Sequence, residues 1–419
     1  MTRFPIIIGV LLCVALVLGL PRWSAAFKMV HDVSDPHEGP RLLVVPFGFK
    51  TEASGSGVGV GATYSGWPQE QAIIGGAAWK TFDRTDAIYL NLTDFQLPFA
   101  KRLFLMVHGF DSSYGNMVSY ASGGGAADNN SGKHDLYKGH GWDQWLEGEL
   151  TYVMPWGPFG DELIHTYTTD KGILTKGSLY AGEFDPSVSG RSYFKIKPYY
   201  RHRWYRDSVS PNTDIETGGF RFTFEYDNSD FTYDPSEGST TMLRLYQGID
   251  AGKSDSWTGV ELDFSSYWNL GASSWFAKQV VALNFWTVDT PSWNTHADGT
   301  VTGNSPYFMG AALGGYTHQR GYPFYRFHDK AAINYAVEYR VMPKWNPLGT
   351  FTWFKWWEVV PFAEVGRVAP YWNPRILHQD MKFSAGVGLR AMILNSVLRL
   401  DVAGSAEGAN VWAMLNQSF

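Results

Sequence analysis

The sequence predicts an all-β protein, a transmembrane antiparallel β-barrel of about 16 strands. Three observations carry that expectation: an amino-terminal export signal, a composition rich in aromatics and poor in charge, and segments in which apolar and polar residues alternate with period two.

Arg3 precedes an uncharged apolar run from Ile6 to Leu20, which Pro21 stops. At about 15 residues the run is short for a spanning helix, which needs about 20, and Ser24-Ala25-Ala26 supplies the small residues that signal peptidase requires. Residues 1–26 therefore read as a cleaved signal peptide rather than an anchor. Cys13 follows Leu11 and Leu12, where a lipoprotein signal wants small residues. As the only cysteine it leaves with the signal, so neither disulfides nor cysteine metal sites are expected in the mature chain.

Aromatics make up 16% of the chain, with 18 Trp and 23 Tyr, while charged residues are 18%, against roughly 25% in soluble domains. Membrane barrels place Tyr and Trp in interfacial girdles and alternate polarity along each strand, which keeps hydropathy low. Here the mean hydropathy is −0.21, and no long apolar run follows Leu20. The net charge of −6 argues against a nucleic-acid partner.

The alternation is clearest from Phe194 to Trp204. Phe194, Ile196, Tyr200 and Trp204 share one face, and Lys195, Lys197, Arg201 and Arg203 share the other. Val260, Leu262 and Phe264 oppose Glu261 and Asp263; Leu398, Leu400 and Val402 oppose Arg399 and Asp401; Ile333, Tyr335, Val337 and Tyr339 oppose Asn334, Glu338 and Arg340. Strands are expected to centre near residues 60, 75, 90, 106, 152, 181, 199, 222, 243, 261, 282, 337, 363, 388, 400 and 414, with long loops at Asn116–Trp142 and Asp289–Gly315. An even number places both termini on one side, the periplasm. Residues 27–55 read as a short periplasmic segment with no room for a folded domain, and 56–419 as one barrel domain.

From Leu313 the chain runs Leu-Gly-Gly-Tyr-Thr-His-Gln-Arg-Gly-Tyr-Pro-Phe-Tyr-Arg-Phe to Phe327. This resembles the Arg-Gly-Tyr/Phe loop of the bacterial surface antigen domain, shared by outer-membrane assembly factors and two-partner secretion transporters. The strands that follow are similar too: Asn334–Arg340, Phe362–Gly366, Gly386–Arg390 and Arg399–Asp401. Upstream, Tyr226-Asp227-Asn228-Ser229-Asp230 with Pro235 and Gly238 resembles the family's turn, with Ser229 where an Arg is usual. The ordered matches cover about residues 220 to 419. Such a chain would be a short form of the family, without periplasmic POTRA domains.

Arg320-Gly321 offers a planar cation on a tightly bending hinge, which needs an anion if it folds into a lumen. By parity Glu338 shares a face with Arg340, and Glu364 with Glu358, the lumenal choice in both strands. The resemblance implies that Arg320, Gly321, Tyr322, Glu338, Glu364 and Gly366 form a latch inside the barrel; the alternative is a loose surface loop with solvated charges. Val411, Leu415 and Phe419 are similar to the terminal-strand signal read by the barrel assembly machinery, although Gln417 breaks its pattern.

Enzyme signals are weak. Gly55, Gly57, Gly59 and Gly61 lie in an alternating strand with no helix after them, and His108, His134 and His140 lack carboxylates at metal-ligand spacing. No catalytic residue, cofactor or metal is expected. The leading expectation is protein or lipid translocation and assembly, with outer-membrane lipid, lipopolysaccharide and a separate periplasmic partner as contacts. The alternative is a passive pore, in which Lys195–Arg203 and Glu261–Asp263 would build a field across a constriction.

Overall fold

The computed structural model describes residues 30–32, 40–51, 55–122, 126–207, 211–250, 252–351, 354–393 and 396–419; the expected signal peptide and its cleavage site lie outside them. Sixteen strands form one sheet in which each is hydrogen-bonded to the next in sequence. They are β1 (Arg41–Thr51), β2 (Gly55–Ser65), β3 (Ile73–Thr81), β4 (Asp86–Gln96), β5 (Leu103–Ser119), β6 (Tyr137–Val153), β7 (Arg191–Tyr205) and β8 (Asp214–Asp227). The second half comprises β9 (Gly238–Ile249), β10 (Trp257–Asn269), β11 (Phe276–Asp289), β12 (Ala331–Pro343), β13 (Phe354–Ala369), β14 (Lys382–Ile393), β15 (Ser396–Ser405) and β16 (Gly408–Leu415). The pairing is antiparallel throughout. β1 and β16 are the two edges, and among the described residues no backbone pairing joins them.

Side-chain parity inverts that of a soluble protein. Val58, Val60, Ile88, Leu90, Leu146, Leu243 and Val387 are exposed on one face, while Glu338, Arg340, Glu358, Arg390 and Asp401 are buried on the other. Hydrocarbon outside and ions inside suit a wall that faces lipid. The sheet curls around its contents: Arg201 of β7 lies 4.4 Å beneath the ring of Phe308 in loop 290–330, and the same loop reaches Asp401 of β15.

Two elements differ from expectation and offset each other in the count. The first strand is Arg41–Thr51, inside the segment 27–55 expected to lie outside the barrel. Pro46 had disguised it, since a residue without an N–H breaks a strand pattern, yet an edge strand tolerates one. No barrel strand exists near residue 181. Residues 154–190 instead form a long loop at the end of the barrel where the sheet's first strand starts and its last strand finishes.

That loop folds inward. Its hairpin, His165–Asp170 with Ile173–Lys176, is extended by Val30–Asp32, which pairs with its first strand in parallel. Tyr167 and Leu174 pack with Ile73 of β3, Met342 of β12, Trp356 of β13 and Met392 of β14. Trp356 Nε1 donates to the Gly172 carbonyl at 3.0 Å. These partners come from opposite walls, so the hairpin is a stopper across one mouth.

Candidate functional site

Loop 290–330 connects β11 to β12 and carries Arg320 into the lumen, where the side chains of Arg320, Glu338, Glu364 and Asp401 are all 0% exposed. Arg320 Nε donates to Glu364 Oε1 at 2.9 Å and its backbone N–H to Glu364 Oε2 at 2.5 Å. Nη1 donates to Glu338 Oε1 at 2.8 Å and to Asp401 Oδ2 at 2.9 Å. The guanidinium lies 3.5 Å over the ring of Phe362. Arg340 and Arg390 also face this cluster, Arg340 Nε donating to Glu338 Oε2 at 2.9 Å and Arg390 Nη1 to Asp401.

Gly321 makes the approach possible: a Cβ there would lie 2.5 Å from the Gly404 carbonyl and 2.6 Å from Ser384 Cβ. Tyr322 is buried among Trp286, Leu313, Phe327 and Val368. Gly366 leaves space beside Gln319, whose amide lies 3.0 Å from that of Asn334.

Three sets of contacts made by this loop are not legible in the sequence. Asp401 was legible as a lumenal acid, but not as a third ligand of Arg320. Trp412, on edge strand β16, donates from Nε1 to the Arg320 carbonyl at 2.7 Å. Arg326 forms a two-pronged pair with Glu407 at 2.7 and 2.8 Å, and reaches the Ser131 carbonyl at 2.7 Å. Nothing local in the sequence distinguished Arg326 from a solvated loop arginine.

The other lumenal charges pair along the wall rather than across the lumen. Lys195 meets Glu225 at 2.8 Å, Lys197 meets Glu147 at 2.9 Å, Arg201 meets Asp143 at 2.6 Å, and Arg203 lies 3.5 Å from Asp143. Glu261 accepts from Trp286 Nε1 at 3.0 Å and pairs with Arg244, and Asp263 accepts from Asn284 at 2.8 Å. The stripes that the alternative, a passive pore, would set against each other are each paired locally, the basic β7 by acids that β6 brings into register beside it.

The β8–β9 turn is held by hydrogen bonds between its own residues and by one from Asn228 Nδ2 to the Glu183 carbonyl at 3.0 Å. Asp227 accepts from the Ser229 N–H at 3.0 Å and the Ser229 hydroxyl at 2.7 Å. Asp230 receives Ser236 N–H at 2.7 Å and Glu237 N–H at 3.1 Å across Pro235. Gly238 closes the turn at φ 88°, a left-handed conformation that favours glycine.

The terminal strand departs from expectation. Val411 is exposed on the outer face and Leu415 ends the strand, but Asn416 adopts φ 68° and turns the chain inward. Phe419 packs against Tyr267, Val280 and Ala282, and its carbonyl accepts from Arg340 Nη2 at 2.9 Å. The Phe419 ring lies in the lumen, because a left-handed residue breaks the period-two pattern after Leu415.

Near the loop's return to β12, His328 lies 3.2 Å from the Ser305 hydroxyl, and burial pushes it from 6.5 down to about 3. The fold favours the neutral ring, so this contribution is full above pH 6.5 and is lost as pH falls toward 3. Burial pushes Asp329 from 3.8 up to about 6, which acts oppositely and costs stability as pH rises through that window. His328 has the larger shift, so loop 290–330 is expected to loosen on acidification. Limited proteolysis within the loop should increase below pH 6.5, and His328→Gln should flatten the response. Cleavage that ignores pH would refute it.

Comparisons with known proteins follow the same outline. No curated protein matches the sequence. BamA from Haemophilus ducreyi lacking POTRA domains 1-3 is similar at 13% identity and a TM-score of 0.49, over 92% of this chain and 73% of that one. CdiB from Acinetobacter baumannii is similar at 10% identity and a TM-score of 0.50, over 90% of this chain and 59% of that one. CdiB from Escherichia coli is similar at 8% identity and a TM-score of 0.54, over 91% of this chain and 63% of that one. The chain thus spans about three fifths of the CdiB chains. The family model for the Omp85 superfamily domain matches residues 177–406. The loop that carries Arg320 and all three of its acidic partners fall within that match, and the chain belongs to the Omp85 superfamily of outer-membrane β-barrels.

Proposed function

We propose that this barrel works in protein or lipid translocation and assembly in the outer membrane, acting at the seam between β1 and β16 rather than through an open lumen. Family membership supports outer-membrane protein assembly or translocation in general. The observation that carries the finer reading is the bond from Trp412 to the Arg320 carbonyl, which ties the seam's edge strand to a fully buried ion cluster. In this reading the chain is exported by a signal cleaved after Ala26, both termini lie in the periplasm, and loops 290–330 and 370–381 meet lipopolysaccharide. A separate periplasmic partner presents the cargo, and the chain performs no bond chemistry itself. Intact-mass analysis of envelope-extracted protein should begin at Phe27; a retained Met1 would contradict export by cleavage.

The seam is tested by placing a photocrosslinker at Val411, on the outer face of β16, and identifying the adducts by mass spectrometry. Polypeptide adducts there, or lipid adducts in excess of those at the lipid-facing control position Leu90, are the expected result. No adduct at Val411, together with steady large openings in planar bilayers, would instead show a passive pore.

A further inference from the structure

The loop between β13 and β14, residues 370–381, folds back over the outside of the wall. Leu377 is buried against Ala331, Ile333 and Ala369, with Ile376 and Met381 beside it. Trp372 Nε1 donates to Thr287 Oγ1 of β11 at 2.9 Å. His378 Nδ1 donates to the Pro374 carbonyl at 2.6 Å, which leaves Nε2 to accept from the Tyr335 hydroxyl of β12 at 2.9 Å. The loop is thereby pinned as an eave over the lipid-facing surface.

Beneath the eave lies a cavity of about 520 Å³ whose exposed lining is almost wholly hydrocarbon. Leu283, Val337 and Ala363 form its floor, and Phe264, Trp268 and Phe383 its sides. Trp268 and Phe383 are 49% and 59% exposed, so they stand proud of a floor where Ala363 contributes only a methyl group. An outer barrel wall is ordinarily convex and lets lipid exchange freely. Here aromatic side chains bound a hollow that spans β10 to β14.

A cation sits at the eave end. Arg367 lies on the same outward face as Val365, two residues further along β13 and opposite Ile333. Its side chain is only 11% exposed and lies 3.6 Å from Asp380, which is 83% exposed and so a weak competitor. One guanidinium nitrogen donates to the Gln379 carbonyl, while Nε is buried without a hydrogen-bond partner. Arg375, exposed on the eave itself, adds a second positive charge.

A trough lined by hydrocarbon, with a cation two residues beyond its edge on β13, complements an acyl chain with a phosphate at its head. We propose that the outer wall of β10–β14 is a binding site for lipid A, with one acyl chain in the trough and a phosphate on Arg367 and Arg375. The choice of lipid A rests on the reading that the eave end meets the outer leaflet. Its phosphate takes up the unpartnered Arg367 Nε and displaces the exposed Asp380.

The test uses the full chain in neutral detergent, titrated with hexa-acylated, bis-phosphorylated lipid A and followed by native mass spectrometry. One bound lipid per barrel is expected. Ala363→Trp fills the trough from outside, Arg367→Gln removes the charge without emptying it, and each should weaken binding more than tenfold. Dephosphorylated lipid A, which loses the contacts to both Arg367 and Arg375, should bind wild type at least as weakly as intact lipid A binds Arg367→Gln. Should Ala363→Trp fail to fold, Phe383→Ala opens one side of the trough and should weaken binding with unchanged gel mobility. Binding unaffected by Arg367→Gln, or phosphatidylglycerol held as tightly as lipid A, would overturn the proposal. An epitope tag in loop 290–330 tests orientation separately: lipid A bound at this site with the tag facing the periplasm would sink the orientation alone.

Discussion

Arg320→Ala is expected to lower the stability of the folded barrel by about 3–5 kcal/mol, the cost of breaking a buried ion pair by removing one partner. An exposed pair would contribute at most about 1 kcal/mol, so the two outcomes are well separated. Most of the loss falls on Glu364. Glu338 keeps Arg340 and Asp401 keeps Arg390, but Glu364 loses its cation and retains only hydrogen bonds, from the backbone N–H of residue 320 and from the Ser384 hydroxyl at 3.0 Å. Glu364→Gln should therefore approach the same loss, since a neutral amide cannot balance the guanidinium. Arg320→Lys should recover part of it, because an ammonium cannot span Glu364, Glu338 and Asp401 as a planar fork does. Urea unfolding followed by tryptophan fluorescence, with gel mobility of unheated samples, reads all three. Wild-type behaviour in every variant would mean that the ion cluster does not hold the loop.

Deleting Gln417–Phe419 is the second large change. It removes the Gln417 contact to Arg390 at 3.2 Å, the Ser418 bond to Glu338, and the Phe419 ring and carbonyl that face Arg340. Loss of a partly buried aromatic and a charge-assisted hydrogen bond should cost on the order of 2–4 kcal/mol. The two roles of this tail predict different defects. A lumenal anchor implies that the truncated protein still inserts but unfolds earlier and releases β16 more readily. A lipid-face assembly signal implies normal stability for the few molecules that insert, with most of the chain left outside the membrane. Counting inserted protein by heat-modifiable mobility, then unfolding that fraction, distinguishes them. Normal insertion with unchanged unfolding would refute the anchor.

What could be read in advance follows from how each contact is encoded. Period-two polarity exposed β7, β10, β12 and β15 because each has one face in lipid and one among ions. β1 was hidden by Pro46, and the segment around residue 181 reads as a wall strand although it lies in loop 154–190 with no strand of its own. Parity identified Glu338 and Glu364 as lumenal. It could not show that Asp401, 81 residues from Arg320, meets the same guanidinium. The inward turn of Phe419 depends on one left-handed residue, Asn416, and hydrophobic patterning contains no trace of backbone handedness. The eave over β10–β14 was equally silent, since apolar Ile376, Leu377 and Met381 in a loop do not reveal which surface they will cover.

The hairpin across the mouth means that the channel is sealed twice in series. Loop 290–330 closes it at one level through Arg320 and Arg326, and Tyr167 and Leu174 close it at another through contacts that share no residue with the ion cluster. Failure of one seal leaves the other intact, so movement of the latch need not breach the envelope's permeability barrier. Cells carrying Arg320→Ala should still exclude large hydrophilic antibiotics, and those lacking residues 165–176 as well should admit them. If the seam opens as proposed, the edge strand loosens while ions and solutes stay on their own sides of the membrane.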